Sequence, residues 1–380
     1  MLARCGLGDR KMLDSKKLEY YLRLQANYGN YSLVPKGASD IRVQDIKKLS
    51  GGMANNVYSF SLQFKNKGST QVFDLVLKGY STNVTLWFRT YHKGEELRPY
   101  VREFETQKAL SSLGFPVPEV YLYESDSFFL GYPFLIMKQE KILKERVIDI
   151  SSFATSLATL HNLKAYDMGI KSLRFPEDSS TFAKDRLFCL KHYMDESRHY
   201  RFLKKDFDYA LNWLELNIEN NYCPAYSLIH GEYHLDHTLI TDEKILKVID
   251  WENARIGDPA FDVGYAYHYV KLVRGNGNLK LGEEAAADFL FEYTKHFHGD
   301  IDQRLEFYKL VGLLGVAIVV SSWVSSPADV YKRFGNKAFA RALTFPFLTS
   351  TFLSKRWLED DFLILYLKYC HEYIHSTLKL

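Results

Sequence analysis

Residues 230–262 read HGEYHLDHTLITDEKILKVIDWENARIGDPAFD, and the order of residue types in this stretch decides the fold. A loop opened by Gly231 carries Glu232 and His237, a polar turn follows, and the apolar positions Leu246, Val248 and Ile249 end on Asp250. A carboxylate at the end of a buried strand needs a partner, because an unpaired buried charge is costly. Phosphoryl transfer asks a protein to hold a hydroxyl in line with a nucleoside triphosphate and to neutralise developing charge with divalent metal. Glu232, His237 and Asp250 have the chemistry for both needs.

Upstream, helical spacing of Leu18, Tyr21, Leu22 and Leu24 predicts a helix over 14–25, capped by Asp14 or Ser15. Three β-like runs follow at 41–49, 57–64 and 72–80, the last two joined by the polar turn cluster KNKGST. Residues 99–113 read as a helix closed by Gly114 and the PVP at 116–118, and 120–123 and 133–138 as two more strands. Beyond 149 the pattern turns helical, at 150–160, 182–193, 202–217, 285–298, 304–323 and 361–376, with Asp258 and Pro259 marking a turn and helix start. We therefore expect an α+β fold of two lobes. Residues 1–138 form an antiparallel-sheet lobe and 139–380 a helical one. The charged and aromatic segment 185–205 is either a wall of a substrate site or a solvated helical hairpin.

In the first lobe Ser50-Gly51-Gly52-Met53-Ala54-Asn55 lies between two strands, where glycines let backbone N–H groups approach phosphates. Lys78 emerges from the apolar run Leu75-Val76-Leu77. Glu103 on the following helix is the candidate partner for it; Glu105, two positions on, points to nearly the opposite side.

These motifs, in this order, resemble the aminoglycoside phosphotransferase and choline kinase-like family, a branch of the protein-kinase-like fold. That family writes HGDxxxxN, a short hairpin, IDW or IDF, and DPxxD, preceded by an SGGxxN loop. The resemblance implies a kinase that moves the γ-phosphoryl of ATP or GTP to a hydroxyl of a sugar, aminocyclitol, amino alcohol or similar metabolite. It implies Gly51, Gly52 and Asn55 at the phosphates, Lys78 paired with Glu103, and the backbones of Lys138 and Glu140 at the base. Glu232 stands where the family has its catalytic Asp, and His237 where it has Asn. His237 and Asp250 would hold Mg²⁺, with Mn²⁺ also suited because imidazole favours softer ions than magnesium. His230 and Asp262 would support the loop, and His161 would be structural. Glu is one C–C bond, about 1.5 Å, longer than Asp, and misplacement of order 1 Å can cost about 100-fold in rate.

Composition narrows the classes. With 47% hydrophobic and 25% charged residues the chain has material for a large core. Its 49 basic and 46 acidic residues leave +3 without a long run of one sign, which argues against a nucleic-acid partner. Cys5, Cys189, Cys223 and Cys370 lack CxxC spacing, and the N-terminus lacks the apolar core of a secretory signal, so a cytoplasmic location is expected. Residues 310–328 carry no charge, but serines and a proline interrupt them, so a buried helix is expected there rather than a membrane span. Two other readings follow from the same residues. Glu232 in place of Asp suits a catalytically impaired nucleotide- or metabolite-binding regulatory module. His230, His234, His237 and Asp236 suit a metallohydrolase, although HGEYH is not the helical HExxH pattern.

Overall fold

The computed structural model describes residues 13–28, 33–49, 55–80, 98–143, 148–196, 204–275, 279–323 and 361–378. Gly51 and Gly52 lie outside them, as do residues 1–12 and the last part of the uncharged segment, 324–328. Asn55 is the first residue of its strand. Helix α1 (Ser15–Tyr28) is capped by Asp14, whose Oδ1 accepts the backbone N–H groups of Lys16 and Lys17 at 3.0 and 3.2 Å. It buries Leu18, Tyr21, Leu22 and Ala26. The strands β1 (Ser39–Lys48), β2 (Asn55–Asn66), β3 (Ser69–Tyr80), β4 (Val120–Glu124) and β5 (Phe134–Lys138) form one antiparallel sheet in the order β1-β2-β3-β5-β4.

The β2–β3 turn explains the register. Lys67 and Gly68 both have positive φ, 48° and 82°, as a two-residue hairpin turn matched to strand twist requires. That turn pairs Asn66 with Ser69 and, twelve residues into the hairpin, Asn55 with Tyr80. Side chains alternate along β3, so Leu75 and Leu77 join Phe60, Phe134 and Ile136 on the face covered by α1. Val76, Lys78 and Tyr80 face the other way. There Tyr80, Leu135 and Met137 pack with Phe104 of α2 (Pro99–Ser112).

The helical part comprises α3 (Ile150–Asn162), α4 (Thr181–Glu196), α5 (Lys204–Asn217), α6 (Pro259–Gly275), α7 (Leu279–His296), α8 (Asp302–Trp323) and α9 (Asp361–Leu378). Two short ribbons stand before α6: β6 (Ser227–Ile229) with β9 (Arg255–Gly257), and β7 (Thr238–Ile240) with β8 (Leu246–Val248). Residues between the two parts are tied to the second ribbon. Leu143 N–H donates to Ile240 O at 3.0 Å, and Lys247 Nζ to Glu140 Oε1 at 2.7 Å.

Helix α6 is buried from Pro259 to Lys271 without a break. Such a helix has no polar stripe and thus no amphipathic period, which is why only its start was legible in the sequence. Gly264 allows its contact with α8: a Cβ there would lie 2.5 Å from the carbonyl carbon of Tyr308. Among the described residues, no helix is long and apolar enough to cross a membrane.

Gly264→Ala should push α6 off α8 and destabilise the protein by about 1–3 kcal/mol, the usual cost of overpacking. Urea unfolding of the variant against the parent measures this, and an unchanged midpoint would contradict the close approach.

Candidate active site

The β6–β9 ribbon sets residues 230–237 beside 250–254, because Ile229 pairs with Arg255. Asp262, fully buried in the first turn of α6, accepts the backbone N–H groups of His230 at 2.6 Å and Gly231 at 2.8 Å. His161 Nε2 lies 3.3 Å from the same carboxylate, while its Nδ1 contacts Tyr293 OH at 2.8 Å. His230 Nε2 donates to Ile249 O at 2.9 Å, and its Nδ1 accepts Glu232 N–H at 3.3 Å, which assigns a neutral tautomer. Burial, with His237 nearby, lowers the His230 pKa to about 4 and keeps it so. Gly231 sits at φ +84°, and a Cβ there would be 2.3 Å from Asn253 O. Any larger residue would force the two loops apart.

Asp250 adopts the left-handed conformation at φ 70°, which turns its carboxylate out of β8 and toward β3. Its Oδ1 contacts Lys78 Nζ and its Oδ2 lies 3.2 Å from His237 Nε2. Lys78 also reaches Glu103 at 2.7 Å and Glu252 at 3.2 Å. Glu105 instead accepts Ser172 N–H at 2.8 Å. Tyr80 OH donates to Glu103 Oε2 at 2.6 Å. Burial would discharge the ammonium, but Asp250, Glu103 and Glu252 outweigh it and hold the Lys78 pKa well above normal. For Asp250, burial is likewise overcome by Lys78 and His237, which pull its pKa below the ordinary carboxylate value. His237 is raised: burial opposes its charge, but Asp250 and Glu232 favour it more strongly.

Glu232 Oε2 accepts from Asn253 Nδ2 at 2.9 Å, and its backbone carbonyl accepts His237 Nδ1–H at 2.9 Å. Burial raises the Glu232 pKa to about 7. The longer arm relative to Asp is thereby fixed by a residue that is itself fully buried. At the linker, Lys138 N–H donates to Glu119 O at 2.8 Å and Gln139 N–H to Asp74 O at 3.0 Å, so the chain leaves β5 still bonded to both of its neighbours in the sheet. The side chain of Lys138 is exposed, and that of Glu140 is held by Lys247.

Lys78, Glu103, His230, Glu232, His237, Asp250 and Asp262 thus belong to one connected cluster. Sequence reading missed Tyr80, Glu252 and Asn253. Period-two alternation from Lys78 would have found Tyr80, whereas the other two reach the cluster only through the turn that Asp250 makes. Among the described residues, two groups offer ligand atoms within 4.8 Å of one another: Glu103, Asp250 and Glu252, and Glu232, His234 and His237. The all-oxygen set has the ligand type that a hard divalent ion such as Mg²⁺ favours, and all three of its carboxylates contact the Lys78 ammonium. Asp236 is taken up by Tyr269 OH.

Residues 46–301 match the sequence model described as "Phosphotransferase enzyme family". Among solved structures, a ternary complex of a thermostable mutant of aminoglycoside phosphotransferase APH(4)-Ia with AMP-PNP and hygromycin B is similar over 96% of this chain and 98% of that one. Its TM-score is 0.53 at 14% identity. Plasmodium vivax ethanolamine kinase is similar over 98% and 92%, with a TM-score of 0.52 at 14% identity. These likenesses establish the α+β, protein-kinase-like fold. Acyl-CoA dehydrogenase family member 11 of Gallus gallus is 30% identical over 181 residues, 44% of this chain. Family member 10 of Mus musculus is 24% identical over 261 residues, 61% of this chain. The match spans 22% of the length of each of these relatives.

Asp262→Ala should release both loop amides and the His161 ring at once. Hydrogen bonds to a buried charge contribute about 1.5–3 kcal/mol each, so a loss of about 3 kcal/mol or more in denaturant unfolding is expected; a loss under about 1 kcal/mol would remove Asp262 as the anchor.

Proposed function

This chain belongs to the phosphotransferase enzyme family, and from that premise we propose that it is a small-molecule kinase. It transfers the γ-phosphoryl group of ATP or GTP to a hydroxyl of a sugar, aminocyclitol, amino alcohol or similar metabolite. The observation that carries this reading is the convergence of Lys78 on both Glu103 and Asp250, which joins the sheet, α2 and the 250–254 turn at one point. Such a lysine offers a fixed positive charge to the α and β phosphates.

Each residue has a role in this reading. The Gly51–Gly52 loop and Asn55 cover the phosphates, and the backbones of Lys138 and Glu140 hold the base. Asp250 and His237 would hold Mg²⁺ or Mn²⁺, which would neutralise charge on the phosphates, and Glu252 has a carboxylate oxygen within 4.8 Å of one of Asp250. Glu232 accepts the proton of the acceptor hydroxyl. The acceptor oxygen then bonds to the γ phosphorus, the bond to the β–γ bridging oxygen breaks, and nucleoside diphosphate leaves. Asn253 keeps the Glu232 carboxylate from rotating, leaving its other oxygen for the acceptor. His230 and Asp262 hold the loop. The sheet lobe, 1–138, carries the cationic wall and the helical lobe, 139–380, carries the base. The buried cysteines Cys189, Cys223 and Cys370, none in a disulfide, suit the reducing cytoplasm.

The relatives' names favour one further acceptor class. Proteins named for acyl-CoA dehydrogenation contain a segment like this chain, so a hydroxylated acyl thioester belongs among the acceptors to be tried. Incubation of the protein with ATP or GTP, Mg²⁺ or Mn²⁺ and a library of hydroxylated metabolites and acyl thioesters, read by mass spectrometry, tests the reading. Phosphorylated product is expected, and Glu232→Ala and Asp250→Ala should abolish it. Nucleotide binding without product would instead indicate a regulatory module.

The pH dependence is a separate expectation. Burial raises the Glu232 pKa, so a fraction is protonated near neutrality and cannot accept a proton. The rate kcat/KM should rise with pH through an apparent pKa of about 7 and level off above it. Asn253→Ala removes a donor that favours the charged form, so it should move this rising limb to higher pH. A limb left in place by Asn253→Ala would contradict the tether.

A further inference from the structure

The spacing HxxxHxxH over His230, His234 and His237 is not absorbed by the phosphotransferase reading. The structure sorts its members. His230 is spent on Ile249 O and Glu232 N–H, and Asp236 on Tyr269 OH. His234 is different: it is 4% exposed, and its buried Nδ1 has no hydrogen-bond partner. A buried ring nitrogen without a partner is a cost that native proteins rarely leave standing without a purpose.

We propose that Glu232, His234 and His237 form a site for a borderline divalent ion of the zinc or cobalt class, occupied without nucleotide. One ligand atom from each residue lies within 4.8 Å of the others. Bonds of 2.0–2.1 Å to a tetrahedral ion set its ligand atoms about 3.3 Å apart, so atoms within 4.8 Å of one another must draw together by no more than about 1.5 Å to close the set. The backbone is already fixed, since His237 N–H donates to His234 O at 2.9 Å across the turn 235–237. His237 Nδ1–H donates to the carbonyl of Glu232, so Nε2, now 3.2 Å from Asp250 Oδ2, is the nitrogen that would turn to the ion. That outer hydrogen bond is the usual device for orienting a ligating imidazole. Behind the set, the His234 ring stacks on Tyr269 at 4.4 Å between centroids and lies tilted by 34° against His237 at 3.7 Å. Two imidazoles with one carboxylate suit zinc, cobalt or manganese, whereas Mg²⁺ prefers oxygen. The all-oxygen group on the Lys78 side shares no residue with this set, whereas the Asp250–His237 pair proposed for Mg²⁺ shares His237 with it.

The consequence rests on the phosphotransferase reading: an ion held through Glu232 takes the base out of the reaction. Zn²⁺ is therefore an inhibitor acting at the catalytic loop, and His234 is the residue that recruits it.

The test is titration of the metal-free 380-residue chain with Co²⁺ in the absence of nucleotide, followed by visible absorption. One equivalent should give a ligand-field band that Zn²⁺ displaces, and His234→Ala should weaken binding at least tenfold. The isosteric Glu232→Gln should weaken it as well, and circular dichroism confirms that each variant is folded. No band in the parent, or parent-like affinity in folded His234→Ala, overturns the proposal. Zn²⁺ should also suppress Mg²⁺-supported transfer in the parent. Co²⁺ binding that depends on His234 in a protein without transfer activity would uphold the metal site while removing the kinase reading. Transfer without Co²⁺ binding would do the reverse.

Discussion

The buried ammonium of Lys78 is the interaction on which the rest of the site depends. It emerges from β3 on the face opposite α1, and it meets carboxylates from α2 and from the turn after β8. Removing the ammonium would leave three buried carboxylates without compensation, which is more costly than a buried pair is stabilising. One ammonium faces the three carboxylates of Glu103, Asp250 and Glu252, so negative charge is in excess. Burial, opposed by Lys78 and reinforced by the other two acids, accordingly raises the Glu103 pKa to about 7. A cluster in this condition gains from any further cation brought to it. A metal–nucleotide complex does so while giving the ammonium phosphate oxygens in exchange for carboxylate ones.

The second constraint is the way Asp262 holds the loop from behind. Its two oxygens take two consecutive backbone amides and a histidine ring, all without access to solvent. The positive φ of Gly231 follows from that grip, since the chain must reverse sharply while touching Asn253 O. Glu232 comes next, so its Cα position is dictated by Asp262 and only its side chain is left to adjust. A glutamate there is longer than the aspartate of the family pattern, and Asn253 takes up the difference by bonding one oxygen.

Legibility in the sequence followed the locality of each cause. The β2–β3 hairpin was readable because its turn residues and its period of two lie within one continuous stretch. Helix α6 was not, because a helix buried on every side loses the amphipathic signal, and only Pro259 at its start remained visible. Lys78, Glu103, Glu232 and Asp250 were recoverable because a known motif order named them. Asn253 and Glu252 were not, because their position depends on a left-handed residue, Asp250, and on the pairing of β6 with β9. Non-glycine residues adopt that conformation too seldom for residue type to announce it.

Glu for Asp and His for Asn, taken as separate substitutions, each look like damage to a phosphotransferase. Together they change what the loop can hold. The glutamate is fixed by Asn253 on one oxygen, and the histidine by the glutamate's own carbonyl on one nitrogen. Each keeps one further donor atom, that of His237 lying 3.2 Å from Asp250, and the His234 ring sits beside both His237 and Tyr269. Asp and Asn at the same positions would offer only oxygen and amide groups and would favour hard ions alone. On the proposed reading, the loop that orients the acceptor hydroxyl would thereby prefer softer metal, and the same two substitutions that alter the base would also open it to control.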